Sequence, residues 1–309
     1  MATLLHRQAG RVPRFEIWID ALFDELGQSD PTAAYASLGQ DAVMMPAVNP
    51  LQSCAWQTGT DEWGRVWHDA MYVDGAVDSR EALQRYRPLL SYVEELCDRQ
   101  RVEQVRRAYP DHYCLMLGTH IGRLTAAFMA SGPQRFFTLL TDDPALARRI
   151  LDKRTEWCIA VYERAVGLGA DVVVLGDDAG SGRGLLISPP MWRKFVLPGH
   201  RRIVDALHAP VIWHSDGNVA ALLPIAIEAG FVGFHGLDPP AGMDLAGIKK
   251  QYGDDLVLIG NADVRVLFGA DLSGACGGRS LHGAGSTRRR VHDGHLQQHL
   301  RGHEPIGSR

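Results

Sequence analysis

The sequence predicts an α/β protein in which parallel strands alternate with crossover helices. Three observations carry this. From Asp111 onward, short apolar runs alternate with longer amphipathic stretches. Each apolar run ends in polar or glycine residues, as strands do where they leave a sheet. The intervening stretches open on helix-start signals in which a capping residue sits just ahead of proline.

In chain order, the first third is the least regular. Residues 16–19 (EIWI) and 42–45 (AVMM) read as strands, and 78–109 reads as a long, charged helical excursion. Strands follow at 113–117, 171–175, Val211–His214, 232–236 and 257–260. Asp142, Asp143 and Pro144 introduce the helix ALARRILDKRTEWCIAVYERAV, and Ser188, Pro189 and Pro190 introduce MWRKFVLPGHRRIVDALH. This alternation suits a closed (β/α)8 barrel and an open doubly wound sheet equally well.

The chain has 309 residues, 46% of them hydrophobic and 22% charged. That length suffices to bury about three quarters of the unfolded surface. A net charge of −4 gives no basis for nucleic acid or an acidic membrane surface as partner, so a small molecule is the expected one. The five cysteines are widely spaced and never arranged as CxxC, which predicts a reducing, cytoplasmic setting. The opening MATLLHRQAGR lacks a secretory core, and no window approaches the ~18 apolar residues of a membrane helix.

If the strands form a barrel, the chemistry belongs at their C-terminal ends. The polar residues there are His120, Asp177 and Asp178, His214 and Asp216, His235, and Asn261 with Asp263. Taken singly, such a residue ordinarily caps a helix or holds a loop. Together they would face one mouth. Successive strand residues point to opposite faces, so only one of Asp177 and Asp178 can face inward. The spacing of His214 and Asp216 lets both reach a common point, as metal ligands or an acid/base pair do. The glycine-rich segment at 178–184 lacks the P-loop lysine and reads as a barrel loop. Trp63 lies within a DEWG segment that Trp56 and Trp67 flank, and for the three buried packing is the expected role and a planar-ligand pocket the alternative.

The segments GADVVVLGDDAGSGRGLLISPPMWRKFVLPGHRRIV and APVIWHSDGNVAALLPIAIEAGFVGFHGLDPPAGMDLAGIKKQYGDDLVLIGNAD resemble the uroporphyrinogen decarboxylase (URO-D) superfamily. So do GRVPRFEIWID, DEWG and the helices of 121–169, in the same order, through Ala270. The resemblance implies a (β/α)8 barrel over residues 1–270. It also implies one of two chemistries. True decarboxylases use no metal or organic cofactor, and RQAGR here would make Arg7 and Arg11 carboxylate-binding residues. The corrinoid-dependent methyltransferase branch uses zinc, held by a His-x-Cys pair and a distant cysteine, and takes a methyl group from a corrinoid on a partner protein. DEWG and HSDGN resemble that branch more closely. His214 matches its histidine, but Asp216 stands in place of the cysteine, which leaves the metal and the acceptor open.

The expected assignment is therefore His214, Asp216, Asp177 and Asp178 as catalytic residues, with His214 and Asp216 the metal ligands. Arg7, Arg11, His120, His235, Asn261 and Asp263 would bind substrate. A homodimer is the expected assembly.

After Asp271 the βα pattern stops. Residues 274–309 lack apolar periodicity and carry five of the thirteen histidines. Residues 271–309 are expected to be an aberrant, disordered tail in which the barrel's last strand is missing. Codons permitted for 288–304, read one base later, spell GGGYMMATCNSIFEGMN, which resembles the family's final strand with its distant cysteine. A frameshift between Asp271 and Gly278 is the implied origin, and an inactive, truncated barrel is the implied alternative to an enzyme.

Overall fold

The computed structural model describes residues 13–16, 39–46, 58–85 except 62 and 70, 99–118 except 112, 122–260 except 183, and 296–297. Two strands come first, β1 (Phe15–Glu16) and β2 (Ala42–Pro46). A three-stranded antiparallel sheet follows, built of β3 (Gly59–Thr60), β4 (Arg65–His68) and β5 (Met71–Gly75). The charged excursion contains helices α1 (Arg80–Arg85) and α2 (Arg99–Ala108).

From there the βα alternation is regular. β6 (Tyr113–Gly118) leads to α3 (Arg123–Ser131), α4 (Pro133–Asp142) and α5 (Pro144–Gly167), and β7 (Val172–Gly176) to a small hairpin, β8 (Gly180–Ser181) with β9 (Gly184–Leu185). After α6 (Pro189–Phe195) and α7 (Leu197–Ala206) come β10 (Val211–His214), α8 (Leu223–Ala229), β11 (Gly233–His235), α9 (Leu245–Tyr252) and β12 (Val257–Ile259). β13 (Leu296–Gln297) pairs antiparallel with β1.

The central sheet decides between the two candidate architectures. Its six strands run in the order β12-β11-β10-β7-β6-β2, every pair parallel. A doubly wound sheet reverses its strand order at a switch point. Here the order follows the chain without reversal, which is barrel winding. The fold is of the TIM-barrel type, and among the described residues its sheet is not closed.

Local chemistry explains the boundaries. The Asp143 carboxylate accepts the Leu146 N–H at 3.0 Å ahead of Pro144, and Ser188 Oγ accepts the Met191 N–H at 3.4 Å, so both anticipated caps form. The single helix expected after Ser188 is divided at Val196, because Pro198 supplies no N–H and its ring crowds the preceding turn. The antiparallel β3–β5 sheet was not anticipated, since its short strands mix charged and apolar residues without clean alternation. Among the described residues no helix is long and apolar enough to cross a membrane.

Candidate active site

Strand parity sorts the mouth into two layers. Val173 and Leu175 of β7, Val211 and Trp213 of β10, Phe234 of β11 and Leu258 of β12 join the buried cluster formed with the helices. The alternate residues turn to the barrel interior. Continuing the count past the strand ends, Asp177 and Ser215 fall on the helix side, while Asp178, His214, Asp216 and His235 fall on the inner side.

The helix-side residues hold the frame. Asp177 is fully buried, and one carboxylate oxygen accepts the N–H groups of Leu124 (2.7 Å) and Thr125 (3.0 Å) at the start of α3. The helix dipole favours a negative charge at that end. The other oxygen meets His200 Nε2 of α7 at 2.9 Å. Burial depresses the His200 pKa below the usual imidazole range, against the pull of Asp177, so the ring favours its neutral form. Trp213 Nε1 donates to the Asp177 carbonyl at 3.0 Å. Beside them, buried Arg123 donates to the Phe195 and Val196 carbonyls at the division between α6 and α7 (2.9 and 2.8 Å) and to Thr155 Oγ1.

Two hydroxyls tie this frame to the inner residues. Thr125 Oγ1 accepts the Asp178 N–H at 3.1 Å, and Ser215 Oγ accepts the Ala179 N–H at 2.9 Å. Gly236 follows His235 at φ +104°, and a Cβ there would overlap the Ser215 carbonyl, so the two strand ends approach backbone to backbone.

The inner residues converge. One ligand atom from each of Asp178, His214 and Asp216 lies within 4.8 Å of the others. Asp178 Oδ1 accepts the Asp216 N–H at 3.1 Å, and His214 Nε2 stands 3.8 Å from Asp216 Oδ1. His214 Nδ1 meets His235 Nδ1 at 2.5 Å. Burial raises the Asp178 pKa; His214 opposes this and Asp216 adds to it. Two carboxylates crowded beside an imidazole and partly withdrawn from water form a donor set that suits a divalent cation. The Cys158 thiol is buried in the helix layer and pushed up to about 11 by that burial, so it offers no thiolate here.

Of the residues singled out in the sequence, Asp178, His214, Asp216 and His235 come together, and Asp177 lies directly behind them. Arg7, Arg11, His120, Asn261 and Asp263 lie outside the described residues, as does Trp56. The DEWG segment is a packing unit: buried Asp61 accepts the N–H of Trp63 (2.9 Å), the N–H and Nε of Arg65 (2.9 and 2.6 Å) and Nε1 of Trp67 (2.8 Å). The Arg154 guanidinium lies over the Trp63 and Trp157 rings, 4.4 and 3.9 Å from their centroids. Thr125, His200 and Ser215 were not foreseen. Ser215 carried a signal, because its parity opposes that of His214 and Asp216; His200 in LPGHRRIV carried none.

Comparison with known proteins identifies the family of the chain. Residues 74–273 match the family "Uroporphyrinogen decarboxylase (URO-D)". The chain is 26% identical over 163 residues to the methylated-thiol–coenzyme M methyltransferase of Methanosarcina mazei, covering 53% of this chain and 42% of that protein. It is 29% identical over 260 residues to the methylcobamide:CoM methyltransferase MtaA of Methanosarcina barkeri, covering 78% and 73%. The uroporphyrinogen decarboxylase of Syntrophotalea carbinolica is 30% identical over a shorter stretch, 43% of this chain and 37% of that one. The chain thus spans less than half of the first and third of these relatives. A methyltransferase structure from Methanosarcina mazei superposes with a TM-score of 0.62 at 23% identity, covering 84% of this chain and 81% of that one, which supports the fold. The chain belongs to the uroporphyrinogen decarboxylase (URO-D) family, and its similarities lie toward the methyltransferase-like branch of that superfamily.

Proposed function

We propose that this protein transfers a methyl group from a methylcorrinoid, carried on a partner protein, to a thiol or similar small acceptor. Asp178, His214 and Asp216 would hold a divalent metal, zinc among the candidates. The observation that carries the reading is the convergence of these three donors within 4.8 Å at the C-terminal ends of β7 and β10. The names of the two methyltransferase relatives supply the reaction class.

When bound, the metal would supply Lewis acidity toward the acceptor. The protein's own residues do the rest. Asp178 and Asp216 contribute negative charge and hard oxygen donors, while the Asp216 N–H fixes the Asp178 carboxylate. Thr125 and Ser215 hold the strand ends in place, so the donors converge without reorganising on binding. In the net reaction the methyl group leaves cobalt without its bonding electrons, so Co(III) becomes Co(I). The acceptor sulfur, after loss of its proton, supplies the electron pair of the new C–S bond.

The test is metal analysis of chelator-treated, reloaded protein together with methylcobalamin turnover followed by absorbance, using coenzyme M and other thiols. Stoichiometric metal and thiol-dependent loss of methylcobalamin are expected, both abolished in His214→Ala and retained when Arg7 and Arg11 are replaced. Absence of stoichiometric metal, or turnover that survives in His214→Ala, would sink the reading. Carbon dioxide release from uroporphyrinogen that depends on Arg7 and Arg11 would replace it with decarboxylation.

A further inference from the structure

We infer that the β8–β9 hairpin sets the separation of Asp178 and Asp216, with Gly180 as the positioning residue that keeps the pair at the spacing of a small divalent cation. The inference rests on the metal-site reading given above and goes beyond it, assigning control of cation size to a residue that supplies no donor.

The segments 178–181 and 215–218 run against one another. Asp178 Oδ1 accepts the Asp216 N–H at 3.1 Å, and one residue further on Ser215 Oγ accepts the Ala179 N–H at 2.9 Å. Gly180 comes next. A Cβ there would stand 2.9 Å from both the Asp216 carbonyl oxygen and Val219 Cγ1, well inside van der Waals contact. From the opposite side, a Cβ at Gly217 would meet Ser181 N at 2.5 Å and Gly180 C at 2.7 Å. The two segments therefore touch where neither carries a side chain.

Both are anchored from behind. Gly180 pairs with Leu185 across the hairpin, and the Leu186 N–H donates to the Ala179 carbonyl at 2.8 Å. On the other segment, Asn218 Oδ1 accepts the Ala220 N–H at 3.3 Å, Asn218 Nδ2 donates to the Gly242 carbonyl at 3.4 Å, and Val219 is fully buried. A methyl group at Gly180 would push the hairpin off this turn and carry Asp178, two residues away, with it. The Asp178 carboxylate would then lose the Asp216 N–H, and the two carboxylates would part. Zinc takes oxygen donors at about 2.0–2.2 Å. Cadmium, the larger ion of the same group, tolerates a wider set.

Gly182 of the same hairpin supplies the control. It is exposed, a Cβ there would meet nothing within 4 Å, and neither Gly180 nor Gly182 has a left-handed backbone, so alanine is opposed at Gly180 by crowding alone.

Amide exchange of Asp216, followed by NMR in chelator, and competition titrations with Zn2+ and Cd2+ are compared in wild type, Gly180→Ala and Gly182→Ala. In Gly180→Ala the Asp216 amide should exchange faster, and Zn2+ affinity should fall ~10–100-fold, the range seen when a residue behind the ligands is replaced. Cd2+ affinity should fall less, so the preference between the two ions shifts toward Cd2+; a general loosening of the fold would lower both alike. Gly182→Ala should match wild type throughout. Asp216 exchange equal in wild type and Gly180→Ala, or an unchanged ratio of Zn2+ to Cd2+ affinity, overturns the inference. If Gly180→Ala fails to fold, Ser215→Ala, which releases the Ala179 N–H without crowding, is judged by the same two criteria. If wild-type protein binds neither ion, the metal-site reading fails, and Asp216 exchange, measured without metal, still decides whether the hairpin fixes the two carboxylates.

Discussion

Replacement of Asp177 tests the separation of the mouth into a supporting row and a reacting row. In Asp177→Ala, the Leu124 and Thr125 N–H groups and the His200 ring lose their acceptor in a region closed to water. A buried donor left without a partner costs about 1–3 kcal/mol. The three losses share one anchor and relax together, so a total of about 3–5 kcal/mol is expected, the range for breaking a buried charged pair. Asp177→Asn is the informative partner. Its amide oxygen can still accept the two N–H groups, and its NH2 can donate to His200 Nε2 once the neutral ring moves its proton to Nδ1. The remaining cost is the loss of charge from those bonds, about 1–2 kcal/mol in all. Urea denaturation followed by circular dichroism measures both, with the slope checked for constancy. If the two variants are equally destabilised, the carboxylate charge rather than the hydrogen-bond frame governs the site. If Asp177→Ala costs less than about 0.5 kcal/mol, the frame does not exist as described.

The other predictions concern the same frame and the tail. Because the folded His200 pKa lies below its unfolded value, the unfolded chain binds more protons beneath about pH 6.5; stability should be full above that pH and fall as pH drops toward the folded pKa, and a pH-independent denaturation midpoint between pH 7 and 5 would contradict it. A Cβ at Gly199 would overlap the Arg123 guanidinium, which its bonds to Phe195 and Val196 hold in place, so Gly199→Ala should cost about 1–3 kcal/mol. In Arg123→Met the same change should be markedly cheaper, and an additive double-mutant cycle would refute the contact. The family match ends at residue 273, within the window proposed for a change of frame. Resequencing from the codon for Gly260 should find a single-base change between codons 271 and 278, restoring GGGYMMATCN; a confirmed frame would remove that proposal.

The βα alternation was legible because each strand of the second half is short, apolar and closed by polar residues. VVVLG is buried at every position, which a β-branched run in a central parallel strand predicts. The caps at Asp143 and Ser188 were legible from their neighbouring prolines. Barrel winding was not, since it resides in which strands pair, and alternation does not encode pairing. In the site, the nearness of His214 and Asp216 followed from the strand end and parity, which also turned one of Asp177 and Asp178 inward without saying which. The opposition of His214 and His235 depends on the register between β10 and β11, and no residue in VIWH or GFH announces that register. The hold of His200 on Asp177 spans a helix and a strand that meet only on folding, so a histidine inside an ordinary amphipathic helix gave no warning of it.

The exchange of cysteine for aspartate at position 216 alters less than it first suggests. The zinc pattern that the family resemblance implies combines one neutral imidazole with two thiolates. Asp178, His214 and Asp216 would combine one imidazole with two carboxyl groups, so a metal held there would meet the same number of imidazole and acidic ligands. What changes is hardness: oxygen donors release less charge to the cation and widen the range of metals the site accepts toward harder ions. The geometry changes too. All three donors come from the adjoining ends of β7 and β10, which are direct neighbours in the sheet, and none comes from beyond residue 260. These three donors, found among the described residues, are therefore a set distinct from the distant cysteine that the family resemblance implies.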